Sequence, residues 1–136
     1  MIAKENPIKS NLCNEFVLDD NGSSYNKGLK GNDYHKFFTV NDIYQGWLGN
    51  CYHIGAIMAL TKNRELFERI IPPDNTHREN MDLGAYHFRF WKLGYWYDCV
   101  IDDYLPTNNT FELLFSHNDV YPNEFWVPLF EKAFAK

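Results

Sequence analysis

The chain has 136 residues, the length of one domain, and its 45% hydrophobic and 18% aromatic content is enough to build a buried core. A net charge of −5 without a local cluster of Lys and Arg gives no electrostatic reason to expect nucleic acid or an anionic membrane as a partner. Charged residues interrupt the apolar residues after Met1, and no apolar run is long enough to cross a bilayer. We therefore expect a cytoplasmic protein without membrane insertion.

The N-terminal part of the chain is polar and rich in turn-forming residues. We interpret residues 1–33 as an arm that wraps around the domain or moves, with a turn at Asn21-Gly22, and residues 34–136 as the folded domain. Two helices follow, from about Asn50 to Leu60 and from about Asn63 to Ile70. The first of them is apolar enough to be buried, and Pro72-Pro73 ends the second.

Aromatic and β-branched residues dominate after Ala85, and the break at Lys92-Leu93-Gly94 predicts a hairpin that pairs 86–91 with 95–101. Strand alternation places Tyr86, Phe88 and Phe90 on one face. Leu113-Leu114-Phe115 suggests a further short strand. A last helix should begin near Asn123 or Glu124, close enough to Pro128 for that proline to be tolerated at the loss of one hydrogen bond. The fold class is therefore α+β.

The segment Gln45-Gly46-Trp47-Leu48-Gly49-Asn50-Cys51 places a thiol at the predicted start of a helix. Unpaired N–H groups and the positive end of the helix dipole favour a thiolate there, and the thiolate is the nucleophile in cysteine chemistry. Gln45 has an amide that can donate to the oxyanion formed when sulfur attacks a carbonyl. Free cysteine is also often a small buried hydrophobe, so these residues alone leave both readings open.

Four stretches in order resemble the first subdomain of the calpain protease core, over roughly residues 39–136. They are Asp42 to Cys51, Tyr86 to Trp96, Val100 to Thr107, and Glu124 to Lys136. The resemblance implies the first half of a papain-like, calpain-type core, with a central helix that starts at the nucleophilic cysteine, an antiparallel hairpin and a C-terminal helix. It also implies a calcium-dependent cysteine endopeptidase.

The resemblance further implies roles for single residues. Cys51 would be the nucleophile, Gln45 with the Cys51 backbone N–H would stabilise the oxyanion, and Asp42 with Glu131 would bind calcium weakly. No other cofactor is expected. The chain departs from the family at three positions, since calpains usually have Asp, Trp and an apolar residue where it has Asn50, Tyr52 and His53.

The remaining question is which histidine would activate Cys51. His53 lies two positions after Cys51 on the same helix and points away from the thiol, and the other histidines have no orienting partner in the sequence. Since no histidine of the sequence is placed to pair with Cys51, we expect the chain to be inactive alone. The predicted last helix runs to Lys136 without a stop signal, as if the chain were cut before the half that would carry the His and Asn. Its partners would be a protein substrate or a complementary half bearing the His and Asn. The alternative is a non-catalytic calpain-like scaffold or interaction module.

Overall fold

A computed structural model describes residues 4–7, 38–76, 83–122 and 124–136. The described elements are β1 (Lys4–Pro7), α1 (Cys51–Leu60), α2 (Arg64–Ile70), β2 (Ala85–Lys92), β3 (Tyr95–Asp102), β4 (Tyr104–Thr107) and α3 (Trp126–Ala135), with short 3-10 turns at Val40–Asp42 and Pro73–Thr76. The α+β class is confirmed. The predicted turn at Asn21-Gly22, together with Cys13, His35 and His77, lies outside the described residues.

The core lies between α3, α2 and the inner face of the β2–β3 hairpin. Trp126, Phe67 and Phe88 are fully buried, and burial of each such ring stabilises the fold by about 1.5–3 kcal/mol. Phe38 joins the loop before α1 to this core, with its ring 4.4 Å from that of Phe67 and 5.1 Å from that of Trp126. The chain that leads to the Gln45–Cys51 segment is thereby held against the core.

The hairpin forms as the sequence predicts, with Phe88 opposite Cys99 and Lys92 opposite Tyr95. Both residues of its turn have positive φ, 52° at Leu93 and 86° at Gly94. A two-residue loop of this kind follows the right-handed twist of the strands it joins. The inner face carries Tyr86 and Phe88, both buried, as alternation predicts.

The predicted helices form, but the exposure of α1 differs from the expected buried helix. Asn63 caps α2 by accepting from the backbone N–H of Leu66. In α1 the buried residues are His53, Ile54 and Ile57. The opposite side, with Tyr52 and Ala59, is exposed. One face of the helix that begins at Cys51 is thus uncovered.

One expected strand was wrong, and one strand pair was not predicted. Leu113-Leu114-Phe115 forms only a single bridge, Leu113 opposite Thr107, because this segment turns after one contact. A strand that we did not predict, β4, pairs antiparallel with β1, with Pro106 opposite Glu5. We did not predict this strand because proline is unfavourable inside a sheet. Proline is tolerated only where no hydrogen bond of the sheet requires its missing N–H.

The last helix begins at Trp126, later than predicted. Pro128 is therefore its third residue. The N–H groups of the first turn have no intrahelical acceptor, so proline costs no helical hydrogen bond at this position.

Candidate active site

Cys51 is the first residue of α1 and its side chain is exposed. The residue before it, Asn50, is buried and makes no side-chain cap to the helix. Its backbone carbonyl instead accepts from the N–H groups of His53 at 2.9 Å and Ile54 at 3.2 Å. Within the described part of the chain, the Cys51 N–H makes no hydrogen bond, so it is available to an acceptor brought in by a substrate.

Gln45 is oriented by the chain that follows it. Its side-chain Nε2 donates to the carbonyl of Leu48 at 2.7 Å. The same carbonyl accepts from the backbone N–H of Asn50 at 2.9 Å. Since an amide nitrogen carries two hydrogens, the second remains for another acceptor. One carbonyl thus links the Gln45 amide to the residue that precedes Cys51.

The loop that carries Gln45 is fixed on a second segment, residues 114–117. Tyr44 and His117 exchange two backbone hydrogen bonds of 2.9 and 3.1 Å, and the Trp47 N–H donates to Leu114 O at 2.9 Å. Gly46 lies so close that a Cβ there would be 2.3 Å from the Phe115 carbonyl oxygen. Any side chain at position 46 would therefore displace Gln45.

Two aromatic side chains flank the thiol in sequence and face solvent. Trp47 is 88% exposed and Tyr52 is 70% exposed. Both side chains are therefore free, within the described residues, to contact another surface.

The described histidines are all engaged away from the thiol, and the expectation that His87 and His117 have no orienting partner was wrong, because carboxylates lie beside both rings. His53 is buried against the rings of Phe130 and Phe134. His87 lies between Asp74, at 3.2 Å from Nδ1, and Asp98, at 2.7 Å from Nε2. The His117 ring contacts the Phe115 carbonyl at 2.7 Å and Asp119 at 3.0 Å. In residues 38–76, 83–122 and 124–136, none of the bonds made by a histidine ring goes to Cys51.

Asp42 is buried at the end of the Val40–Asp42 turn. Its carboxylate accepts from the Thr39 backbone N–H at 2.6 Å and from Thr39 Oγ1 at 3.0 Å. The first of these bonds belongs to a capping box, in which the Thr39 side chain in turn accepts from the Asp42 backbone. The Nδ2 group of Asn118 donates both to Asp42, at 3.4 Å, and to the buried carboxylate of Glu124. The structure thus brings Asp42 near Glu124, a residue that sequence reasoning placed only at a helix start.

Glu131 is buried and has different partners. One of its carboxylate oxygens accepts from Asn50 Nδ2, and the other accepts from the Ser116 backbone N–H at 2.9 Å and from Ser116 Oγ at 2.7 Å. No described contact joins Glu131 to Asp42. Among the described residues, no three His, Cys, Asp or Glu side chains are grouped as a metal site. Calcium binding by Asp42 with Glu131 stays a prediction.

Comparison with known proteins identifies the family. Residues 29–136 match the family model described as calpain family cysteine protease. The chain is 50% identical over 98 residues to Calpain-8 of Homo sapiens, and the aligned region covers 72% of this chain and 14% of Calpain-8. It is 50% identical over 95 residues to Calpain clp-1 of Caenorhabditis elegans, and here the aligned region covers 70% of this chain and 12% of Calpain clp-1.

A third relative is the Calpain-2 catalytic subunit of Mus musculus, which is 48% identical to this chain over 98 residues. The chain spans about one seventh of the length of these relatives, 14% in the case of Calpain-2. In the described part of the chain, no helix is long and apolar enough to cross a membrane. The extent and identity of these matches show that the chain belongs to the calpain family of cysteine proteases.

Proposed function

We propose that this chain is the nucleophile-bearing half of a calcium-dependent cysteine endopeptidase, in which Cys51 attacks a peptide carbonyl. The observation that carries the proposal is the joint arrangement at the start of α1. The thiol is exposed, the Cys51 N–H has no described acceptor, and Leu48 O fixes the Gln45 amide next to Asn50. A scaffold that had lost the chemistry would have no need of this arrangement.

In the proposed reaction, the Cys51 thiolate forms a bond to the carbonyl carbon, and the carbonyl π electrons move to oxygen. The Gln45 amide and the Cys51 N–H then donate to this oxyanion, and such preorganised donors act most strongly where water is excluded. When the tetrahedral species collapses, the C–N bond breaks, and the leaving amine takes the proton that an imidazole had removed from the Cys51 thiol. A thioester remains. Attack by water on the thioester releases the second product and the thiol.

The imidazole for this proton transfer has to come from outside the described residues, because His53, His87 and His117 are engaged elsewhere. We therefore propose that the chain works together with a segment or partner that bears a histidine and an orienting amide. The exposed face of α1 and the aromatic side chains of Trp47 and Tyr52 offer a surface for such a half.

A calcium ion suits the oxygen-rich cluster at Asp42. Carboxylate oxygens are the ligands that this cation prefers. The described contacts place Glu124 beside Asp42, because Asn118 Nδ2 donates to both carboxylates, so Glu124 would be the second carboxylate that holds the ion. When bound, calcium would neutralise the two carboxylates and tie the turn before Gln45 to the start of α3.

A peptidyl aldehyde tests the proposed chemistry without a histidine. A thiol adds reversibly to its carbonyl carbon and forms a hemithioacetal. The Gln45 amide and the Cys51 N–H would stabilise the oxygen of this adduct by donating hydrogen bonds to it. With a ¹³C-labelled aldehyde, NMR should show a hemithioacetal on Cys51 that Cys51→Ala abolishes. Gln45→Ala should lower the affinity by about tenfold or more.

Iodoacetamide provides the matched control, because its displacement reaction forms no oxyanion. The iodoacetamide rate at Cys51 should stay within about twofold in Gln45→Ala. Equal aldehyde affinity of the wild type and Gln45→Ala, or an adduct on Cys99 in place of Cys51, would overturn the proposed function.

A further inference from the structure

The Glu131 carboxylate bonds both to the residue before Cys51 and to the segment that holds the Gln45 loop. It is 5% exposed, and one of its oxygens accepts from Asn50 while the other accepts from Ser116. Asn50 immediately precedes Cys51. Ser116 immediately follows Phe115, whose backbone lies against Gly46. A single buried group in α3 therefore contacts both sides of the candidate site.

The bond to Asn50 changes what that side chain does. Asparagine at the residue before a helix ordinarily accepts a hydrogen bond from the first turn. Here its Nδ2 donates to Glu131, and its Oδ1 is buried without a hydrogen-bond partner in the described structure. The side chain of Asn50 thus anchors the turn into α1 to α3 and leaves the N–H groups at the helix start uncapped by it.

The bonds to Ser116 fix the other segment. Ser116 is fully buried, and both its backbone N–H and its hydroxyl donate to Glu131. On either side of it, Leu114 and His117 form the backbone bonds that hold Trp47 and Tyr44. The loop bearing Gln45 is therefore positioned through residues 114–117, which are themselves tied to Glu131.

We infer that Glu131 is a positioning residue for the nucleophile site: it sets the placement of Cys51 through Asn50 and that of Gln45 through Ser116, without touching substrate. This inference rests on the proposed function for the identity of the oxyanion donors. It assigns Glu131 a role in the geometry of the site, separate from calcium binding.

The substitution Glu131→Gln keeps the shape of the side chain but replaces one acceptor oxygen by a donor. The new NH2 group of residue 131 then faces another donor, either Asn50 Nδ2 or Ser116. If the Asn50 amide rotates by 180° to avoid this, its own NH2 group becomes buried at the place where Oδ1 now has no hydrogen-bond partner. Adding Asn50→Asp to this variant reverses the direction of the bond, so that residue 131 donates and residue 50 accepts. The double variant Asn50→Asp/Glu131→Gln restores the hydrogen bond in a nearly identical volume.

The experiment measures peptidyl aldehyde affinity and iodoacetamide rate at Cys51 for these variants, beside Gln45→Ala and the control Asn75→Ala. Asn75 is fully buried and pairs with the backbone of His87 through two bonds of 2.6 Å, so its loss destabilises the fold away from the nucleophile segment. We expect Glu131→Gln to lower aldehyde affinity about tenfold with the iodoacetamide rate within about twofold, and the double variant to restore the affinity. Asn75→Ala should leave both unchanged.

The inference is overturned if Glu131→Gln binds aldehyde like the wild type while Gln45→Ala does not, or if the double variant fails to restore binding. If Gln45→Ala itself has no effect, the proposed function fails, and amide hydrogen exchange decides about Glu131 separately. Exchange at His53 and Ile54, whose N–H groups donate to the Asn50 carbonyl, should then be about tenfold faster in Glu131→Gln than in Asn75→Ala and normal in the double variant. Equal exchange in the two single variants also overturns the inference.

Discussion

The imidazole of His53 lies stacked on the ring of Phe134, with ring centroids 4.2 Å apart and an interplanar angle of 25°. His53 is 4% exposed, and its Nε2 is buried without a hydrogen-bond partner in the described structure. Burial lowers the pKa of His53 below its ordinary value of 6.5, while the nearby Glu131 carboxylate raises it by a smaller amount. His53 thus behaves as an aromatic core residue that is uncharged at neutral pH.

We predict that the stability of this domain falls as the pH falls below about 6.5, the pKa of an unfolded histidine. The unfolded chain then binds a proton that native His53 does not, so the free energy of unfolding decreases by up to about 1.4 kcal/mol per pH unit until the native residue also titrates. His53→Phe should reduce this slope. Urea unfolding of both proteins between about pH 5 and 8 measures it, and parallel curves would contradict the prediction.

Cys51 should react faster with iodoacetamide than Cys99. Cys51 is exposed at the start of α1, whereas Cys99 is half-buried in β3 and its Sγ lies 3.5 Å from the Ala133 carbonyl. Access therefore favours reaction at Cys51, by about tenfold or more. Peptide-resolved mass spectrometry of partially alkylated protein gives the two rates in one sample, and a faster Cys99 would refute the expectation.

Leu93→Asn should stabilise the hairpin. Leu93 has a φ of 52°, an unfavourable backbone conformation for leucine. Its side chain is 83% exposed, so burial does little to offset this cost. Asn-Gly is the preferred pair for a two-residue turn with both φ values positive. We expect a gain of about 0.5–1 kcal/mol in urea unfolding, and a loss in the control Leu93→Val, whose β-branched side chain disfavours positive φ.

Calcium should bind with a dissociation constant on the order of micromolar to millimolar, since few carboxylates are available. Titration calorimetry of the wild type, Asp42→Asn, Glu124→Gln and Glu131→Gln separates the two assignments. The contacts of Asn118 predict that Asp42→Asn and Glu124→Gln abolish the heat and Glu131→Gln retains it. Heat lost in Glu131→Gln but kept in Glu124→Gln would instead support the pair inferred from the family resemblance.

The chain alone should not hydrolyse a peptide bond at a measurable rate. Removal of one member of a nucleophile and base pair costs several orders of magnitude in rate, and no described histidine ring bonds to Cys51. Incubation of pure protein with unstructured casein in calcium, beside Cys51→Ala, measures the residual rate. Turnover that depends on Cys51 would show that a histidine of this chain completes the site.

The sequence predicted the elements that depend on local patterns. The hairpin followed from alternation around Phe88 and from the Leu93-Gly94 turn, and α1 followed from the apolar run after Asn50. The pairing of β1 with β4 and the meeting of Asp42 with Glu124 depend on contacts between distant segments, and no local pattern encodes these contacts. Asn50 is the clearest case, because its local preference is to cap α1 and a distant carboxylate takes its side chain instead.

The bond between Asn50 and Glu131 joins residues separated by 81 positions in sequence. Helix α1 is local and can form early in folding, whereas a contact of this span forms only after a long loop closes. We therefore expect the proposed oxyanion donors to come into register only when α3 docks. A chain still in the course of folding would then carry the Cys51 thiol without the arrangement proposed for its chemistry, so the order of folding would delay the appearance of the site.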